Sequence, residues 1–354
     1  MLPELDRAVD EQKKKILVQI DDYTETIYAI LGFASLWLYD AAMHQNRDYV
    51  KVFQGRRLTP VPDDASMVQS QNDVFPDLGI VIEDKCGILG EVKKNFPKGD
   101  EDRGQKIFAQ MKSYDQGLVG WPTEDKNLQS HELVLLVHQT TSRSAQDLYT
   151  REVAQGNLHF DRPFSIVQFN RSDQRVPYFF FTLVNGKVDC VEGNVDLHNG
   201  EQVPMQALLH LYSETKLYDA EPPVAYLLHL IWEHVLTPIA SEHPKFGRLR
   251  RAQRLEITVT IDEILRVLHE GFSFYHWHTQ HVDRQRTVPR REWVQRACDF
   301  LVQSEEAKWV KDKENSELLV YYQKYEDMKE HFVELQAKSE SARILQPRLP
   351  FDSA

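Results

Sequence analysis

Residues 75–97 read F-P-D-L-G-I-V-I-E-D-K-C-G-I-L-G-E-V-K-K-N-F-P. The pattern predicts a two-stranded hairpin, with strands over Leu78 to Glu83 and Gly87 to Lys94 and a bend at Asp84-Lys85-Cys86. Side chains alternate between the faces of a strand, so parity sorts them. Leu78, Ile80, Ile82, Ile88 and Val92 form an apolar face made to be buried. Asp77, Gly79, Val81, Glu83, Leu89, Glu91 and Lys93 take the opposite one. Register then decides which polar groups meet. An odd loop centred on Lys85 sets Asp77 across from Lys93 and Gly79 across from Glu91. Asp77 and Glu91 become diagonal neighbours, about 7–8 Å apart, with the missing side chain of Gly79 leaving a gap suited to one divalent cation. An even loop would turn Asp77 to the wrong face, so an odd loop is predicted.

Working outward, residues 5–45 carry apolar side chains at three- and four-residue steps and read as one helix or two, with Gly32 as the weak point. Tyr49 to Leu58 alternates like a strand, and Thr59 to Asn72 is a loop. After the hairpin come a polar turn and a helix from Gly104 to Tyr114. Leu133 to His138 is a continuous apolar run, the mark of a strand buried on both faces. A polar edge follows at Gln139 to Ser144, then a helix from Ser144 to Val153. Phe164 to Phe169 and Pro177 to Val184 form a further strand pair, and Pro204 to Leu217 and Pro223 to Leu236 read as helices. Beyond a basic hinge at Arg248 to Arg254, Thr260-Ile-Asp-Glu263 is a capping box that opens a helix. Another helix starts at Pro289. A hairpin from Lys308 to Tyr322 and a helix from Tyr325 to Ala342 close the chain. Helices followed by a hairpin resemble a winged-helix domain in outline.

Pro76-Asp77, a spacer, then Glu91-Val92-Lys93 resembles the P-D…(D/E)-x-K signature of the PD-(D/E)xK nuclease superfamily. Gln110-Met-Lys-Ser-Tyr114, beginning 17 positions after Lys93, is similar to the Q-x-x-x-Y element of its RecB-like branch. The resemblance covers residues 10–185. It implies an α/β fold with a restriction-endonuclease-like α-β-β-β-α-β core, here followed by a C-terminal, mostly α, winged-helix-like domain. The expected boundaries are 1–45 for an N-terminal helical segment, 46–240 for the nuclease-like domain with its added strands and helices, 255–342 for the winged-helix-like domain and 343–354 for a tail. The resemblance further implies Mg2+ (or Mn2+) held by Asp77, Glu91 and the Val92 carbonyl, with Glu25 of the first helix as an additional carboxylate. Lys93 would orient the attacking water, and Gln110 and Tyr114 would hold Lys93 or the phosphate. Lys94 is the alternative lysine, but parity sets it on the apolar face.

Composition limits the other classes. At 42% apolar and 27% charged the chain is ordinary for a globular protein. No run approaches the roughly 20 apolar residues of a membrane span, and the first residues lack a basic-then-apolar signal, so a cytoplasmic protein without a membrane partner is expected. Cys86, Cys190 and Cys298, without C-x-x-C spacing, are expected as free thiols. Net charge is −12, carried by residues 1–240 with 23 basic and 35 acidic side chains, while 241–354 hold 19 of each. Residues 244–296 are locally basic, 11 against 6. Arg250, Arg251, Arg290, Arg291 and Arg296 are therefore the candidate nucleic-acid contacts. His276-Trp-His278-Thr-Gln-His281 fits no four-ligand zinc pattern and reads as a polar interface or nucleic-acid contact beside Phe272, Phe274, Tyr275, Arg284 and Arg286.

The first expectation is a metal-dependent nuclease, a DNA endonuclease with a recognition module, as in restriction or anti-phage defence. A nuclease-fold subunit that binds nucleic acid or a protein without cleaving is the alternative. A transcription regulator would leave the hairpin residues unexplained. A homodimer or membership of a larger complex is the expected assembly.

Overall fold

The computed structural model describes residues 2–43, 50–54, 56–61, 72–123, 126–128, 130–172, 176–190, 195–208, 221–248, 250, 253–270, 289–310 and 317–345, with side chains left out at 2–4, 38–43, 248, 269, 270 and 345. The fold is mixed α/β. Contacts divide the chain into two compact units, one of residues 25–219 with 273–286, the other of 1–24, 220–272 and 287–354. The boundary therefore falls inside the first helix. The segment 220–240, expected with the nuclease-like domain, clusters with the C-terminal unit.

The first unit contains β1 (Val50–Phe53), β2 (Thr59–Pro60), β3 (Leu78–Ile82), β4 (Cys86–Lys93), α2 (Glu101–Ser113), β5 (Leu118–Val119), β6 (Ser130–His138), α3 (Gln139–Ala154), β7 (Phe164–Ser172), β8 (Tyr178–Asn185) and β9 (Glu201–Pro204). It also holds the second half of α1 (Leu2–Met43). Its main sheet runs β1-β3-β4-β6-β7-β8-β9. β4, β6 and β7 are parallel, and the other pairs are antiparallel. The apolar run predicted to be buried on both faces is β6, in the middle, and Leu133 to Val137 are all 0% exposed. The crossovers that parallel pairing requires are α2 and α3. They cover one face, where Phe108, Met111 and Tyr114 pack with Val81, Leu89, Leu133, Leu135 and Val137. On the other face α1 sets Phe33 on Phe181 and Tyr28 on Phe179. Gly32 is no weak point. The helix is continuous there, and a Cβ would lie 2.8 Å from the Phe181 ring, so glycine lets helix and sheet approach.

Three expectations are corrected. α3 begins at Gln139 directly after β6, capped by the His138 ring, so the helix expected from Ser144 starts five residues earlier and takes in the polar edge at Gln139 to Ser144. The predicted helix at Pro204 begins only after β9, which ends at that proline, and residues 209–220 lie outside the described ones. Cys86 and Cys190 are joined as a disulfide, and only Cys298 is a buried free thiol.

The second unit contains the first half of α1, α4 (Val224–Ile231), a π turn at Trp232–Leu236, α5 (Thr237–Glu242), β10 (Leu255–Thr260), α6 (Ile261–Glu270), α7 (Arg291–Gln303), β11 (Ala307–Trp309), β12 (Glu317–Tyr322) and α8 (Met328–Leu345). The three strands form an antiparallel sheet in the order β10-β12-β11. The capping box is present as read. Glu263 N–H donates to the Thr260 hydroxyl at 3.1 Å, and Thr260 N–H donates to the Glu263 carboxylate at 2.7 Å. Trp232 centres the apolar core, its ring 5.4 Å from Tyr322 and 5.3 Å from Phe332. Among the described residues no helix is long and apolar enough to cross a membrane.

Candidate functional site

The β3–β4 ladder pairs Ile80 with Ile88 and Leu78 with Gly90, leaving Glu83, Asp84 and Lys85 between the strand ends. The loop is odd, but its centre is Asp84 and not Lys85. Glu83 and Asp84 take left-handed φ values of 51° and 55°, so the chain reverses one residue earlier than predicted. Lys51 holds the tip through Asp84 at 2.7 Å. The shift changes who faces whom. Gly79 faces Leu89, not Glu91. Continued by one residue, the ladder sets Asp77 directly across from Glu91, where Cβ atoms are about 4.5–5.5 Å apart. Nor is the space at Gly79 open. A Cβ there would sit 2.0 Å from the Phe53 ring, so the glycine accommodates an aromatic side chain and not an ion.

The two carboxylates share a neighbour. Lys93 Nζ lies 2.8 Å from Glu91 Oε2 and 3.5 Å from Asp77 Oδ2. Val92 N–H donates to Asp77 Oδ2 at 2.9 Å. A strand residue directs its N–H and C=O to the same side, so the Val92 carbonyl also faces the Asp77 edge. Pro76, opposite Val92 on the continued ladder, has no N–H to offer it. From α2, the Tyr114 hydroxyl donates to Glu91 Oε1, and Gln110 Nε2 reaches that hydroxyl at 3.3 Å. Gln110 and Tyr114 therefore act on the glutamate; the expected contact with Lys93 or a phosphate is replaced. Because α2 covers this face, Glu91 is 0% exposed. Burial, then the charge of Asp77, pushes its pKa up against the pull of Lys93. Burial and the Glu91 charge likewise raise the Tyr114 phenol.

Glu25 is not part of this group. It binds Lys94 and lies 3.5 Å from His138 Nε2, on the α1 face of the sheet. Burial works to raise its pKa, but hydrogen bonds from His138 and Lys94 prevail and hold it at about 2. Sequence reasoning missed His138, which ends β6, caps α3 and completes this cluster; only its place after the apolar run hinted at it. Among the described residues no group of three or more His, Cys, Asp or Glu side chains is set to hold a metal ion.

The candidate arginines are dispersed. Arg291 pairs with Asp262, and Arg296 pairs with Glu221 at 2.7 Å. The Arg290 guanidinium lies 5.3 Å from the Trp293 ring centre. Arg250 is exposed, while Arg251 and the segment from Phe272 to Arg286 with its three histidines lie outside the described residues. No protein-family model, curated protein or solved structure matches this chain.

Proposed function

We propose that the chain is a Mg2+-dependent nuclease that hydrolyses phosphodiester bonds, with DNA as the preferred substrate. The observation that carries the reading is the convergence of Asp77, Glu91 and Lys93 at one strand edge, with Tyr114 and Gln110 behind them. The order α1, β1, β3, β4, α2, β6, with β3 between β1 and β4 and β4 parallel to β6, supports a restriction-endonuclease-like core. The chain order β10, α6, α7, β11, β12, with β12 between β10 and β11 in the sheet, supports a winged-helix-like module.

The donors suit a hard divalent cation. Two carboxylates and a main-chain carbonyl are oxygen ligands of the kind Mg2+ or Mn2+ takes. Glu91, buried beside a second carboxylate with one ammonium between them, favours added positive charge. Asp77, Glu91 and the Val92 carbonyl would hold the ion, which would polarise the phosphate and activate water. Lys93, between both carboxylates, would orient the nucleophile and offset the charge that develops on the phosphoryl oxygens. Tyr114 fixes one oxygen of Glu91 and leaves the other directed at Lys93.

The test is incubation of plasmid, linear duplex and RNA with Mg2+, using the wild type, Asp77→Ala and Lys93→Ala. Cleavage by the wild type that falls at least about a hundredfold in both variants is expected. The absence of a third side-chain ligand among the described residues favours a second reading, a nuclease-fold subunit that binds without cutting. Nucleic acid retained intact by the wild type would establish that reading instead.

A further inference from the structure

Glu91 and Lys93 stand two residues apart on β4, on the same face and roughly 6–7 Å apart along the strand. The long lysine side chain folds back over that distance, so its ammonium meets the glutamate of its own strand. Both Glu91 oxygens are thereby engaged. Oε1 accepts from the Tyr114 hydroxyl, and Oε2 accepts from Lys93 Nζ at 2.8 Å. The same ammonium stands 3.5 Å from Asp77 Oδ2. Burial is graded across the group: the Glu91 side chain is 0% exposed, Asp77 17% and Lys93 27%. Lys93 is the most exposed of the three, and it holds the one Glu91 oxygen that Tyr114 leaves. A Mg2+ ion bound by both carboxylates needs that oxygen at about 2.0–2.1 Å. In a buried site the repulsion between two positive centres sharing one oxygen is weakly screened, so ammonium and metal exclude each other there.

We propose that Lys93 is the resting occupant of the cation position, an internal counter-ion that a divalent metal must displace before the site can work. The inference rests on the nuclease reading, from which it takes the ligand pair Asp77 and Glu91. Without a positive charge between them the two neighbouring carboxylates, one of them fully buried, would repel each other. The lysine supplies that charge from within the same strand until a metal arrives. Its flexible stem then lets the ammonium swing outward, where it can meet a nucleophile or a phosphate. One position with two alternative cations gives the residue opposite effects on binding and on cleavage. Replacing Lys93 removes the metal's competitor together with the group that orients the nucleophile, so the metal binds more tightly while hydrolysis falls.

Titration calorimetry of the full chain with Mn2+ alone, in the absence of nucleic acid, tests it on the wild type, Lys93→Met and Lys94→Met. Methionine keeps an apolar stem without the charge. A dominant seated lysine leaves only a small fraction of molecules open to metal, so Lys93→Met should bind Mn2+ at least about tenfold more tightly. Lys94→Met removes the same charge one residue away, on the Glu25 side of the sheet, and should match the wild type within about twofold. Acylation of the wild type by an amine-reactive ester, read residue by residue by mass spectrometry, is a second measure; Mn2+ should speed modification of Lys93 several-fold by releasing its ammonium. Equal or weaker Mn2+ binding by Lys93→Met, an equal gain in Lys94→Met, or Lys93 acylation unchanged or slowed by Mn2+ would each overturn the proposal. Mn2+ bound by the wild type with Lys93 still protected ends this inference and leaves the nuclease reading standing, whereas no heat from any of the three proteins removes the cation site and both readings with it. If either variant fails to fold, the acylation rates decide.

Discussion

Glu91 and Glu132 are buried carboxylates on neighbouring strands, and their company separates their roles. Glu91 meets Asp77, Lys93 and Tyr114, groups able to act on a substrate or an ion. Glu132 meets the main chain. Both its oxygens accept from Asp189 N–H at 3.0 Å, which ties down the segment that carries Cys190. Burial raises the Glu132 pKa to about 7 against those hydrogen bonds. A carboxyl whose folded pKa lies above its unfolded value contributes stability that is complete below the unfolded value, near 4.5, and is lost as pH rises through the folded one. Between pH 4.5 and 8 the wild type should therefore lose up to about 3 kcal/mol relative to Glu132→Gln, which stays neutral. Urea unfolding of both proteins at the two pH values measures it; parallel pH profiles would refute it. Glu25 has the opposite sign, since a pKa held at about 2 makes its contribution present above 4.5 and lost as pH falls.

At the scale of elements, the β3–β4 hairpin rests on a contact between strands. Phe53 of β1 lies against Gly79 of β3, its partner in the ladder, and belongs to the core that α2 closes. Gly79→Ala would drive a methyl group into that ring, so a destabilisation of roughly 1–3 kcal/mol is expected. Adding Phe53→Leu should return part of it, while additive losses in denaturant unfolding would count against this packing account. Parity assigned Asp77, Gly79, Glu91 and Lys93 to one face because alternation is a local property of a strand. The register was not legible, since it depends on left-handed turns at Glu83 and Asp84, which few non-glycine residues adopt. The capping box at Thr260 was legible for the converse reason. Its donors and acceptors lie within four residues, so no distant part of the chain can change the pairing.

For the whole molecule, the covalent tie from Cys86 to Cys190 spans 104 residues and closes most of the first unit's sheet into a loop. Loop-entropy arguments assign such a closure roughly 4–5 kcal/mol, by restricting the unfolded chain. Replacing both cysteines by serine should lower unfolding stability by about 2–5 kcal/mol relative to the oxidised protein. Mass spectrometry after alkylation, with and without reductant, reports whether the bond is present; two freely alkylated thiols in the native protein would refute the tie. Charge also reads differently at this scale. The basic excess over residues 244–296 suggested a gripping surface, yet Arg291 and Arg296 answer Asp262 and Glu221. Asp262 belongs to that stretch and Glu221 lies outside it, so a count of charges could not anticipate which arginines are paired.

Whatever depends on neighbours a few positions apart was determined by the sequence alone: the strand at Leu133 to Val137, the faces of the hairpin, the helix that brings Gln110 and Tyr114 one turn apart, and the cap at Thr260. Alternation, helical spacing and hydroxyl capping act over at most one turn, and no distant contact overrules them. Tertiary structure decided the rest. It set Asp77 across from Glu91, filled the Gly79 gap with Phe53, moved Glu25 to Lys94 and His138, turned Tyr114 onto Glu91 and joined Cys86 to Cys190. Each outcome required residues far apart in the chain to compete for the same space, charge or hydrogen bond, and that competition is resolved only when the chain closes on itself.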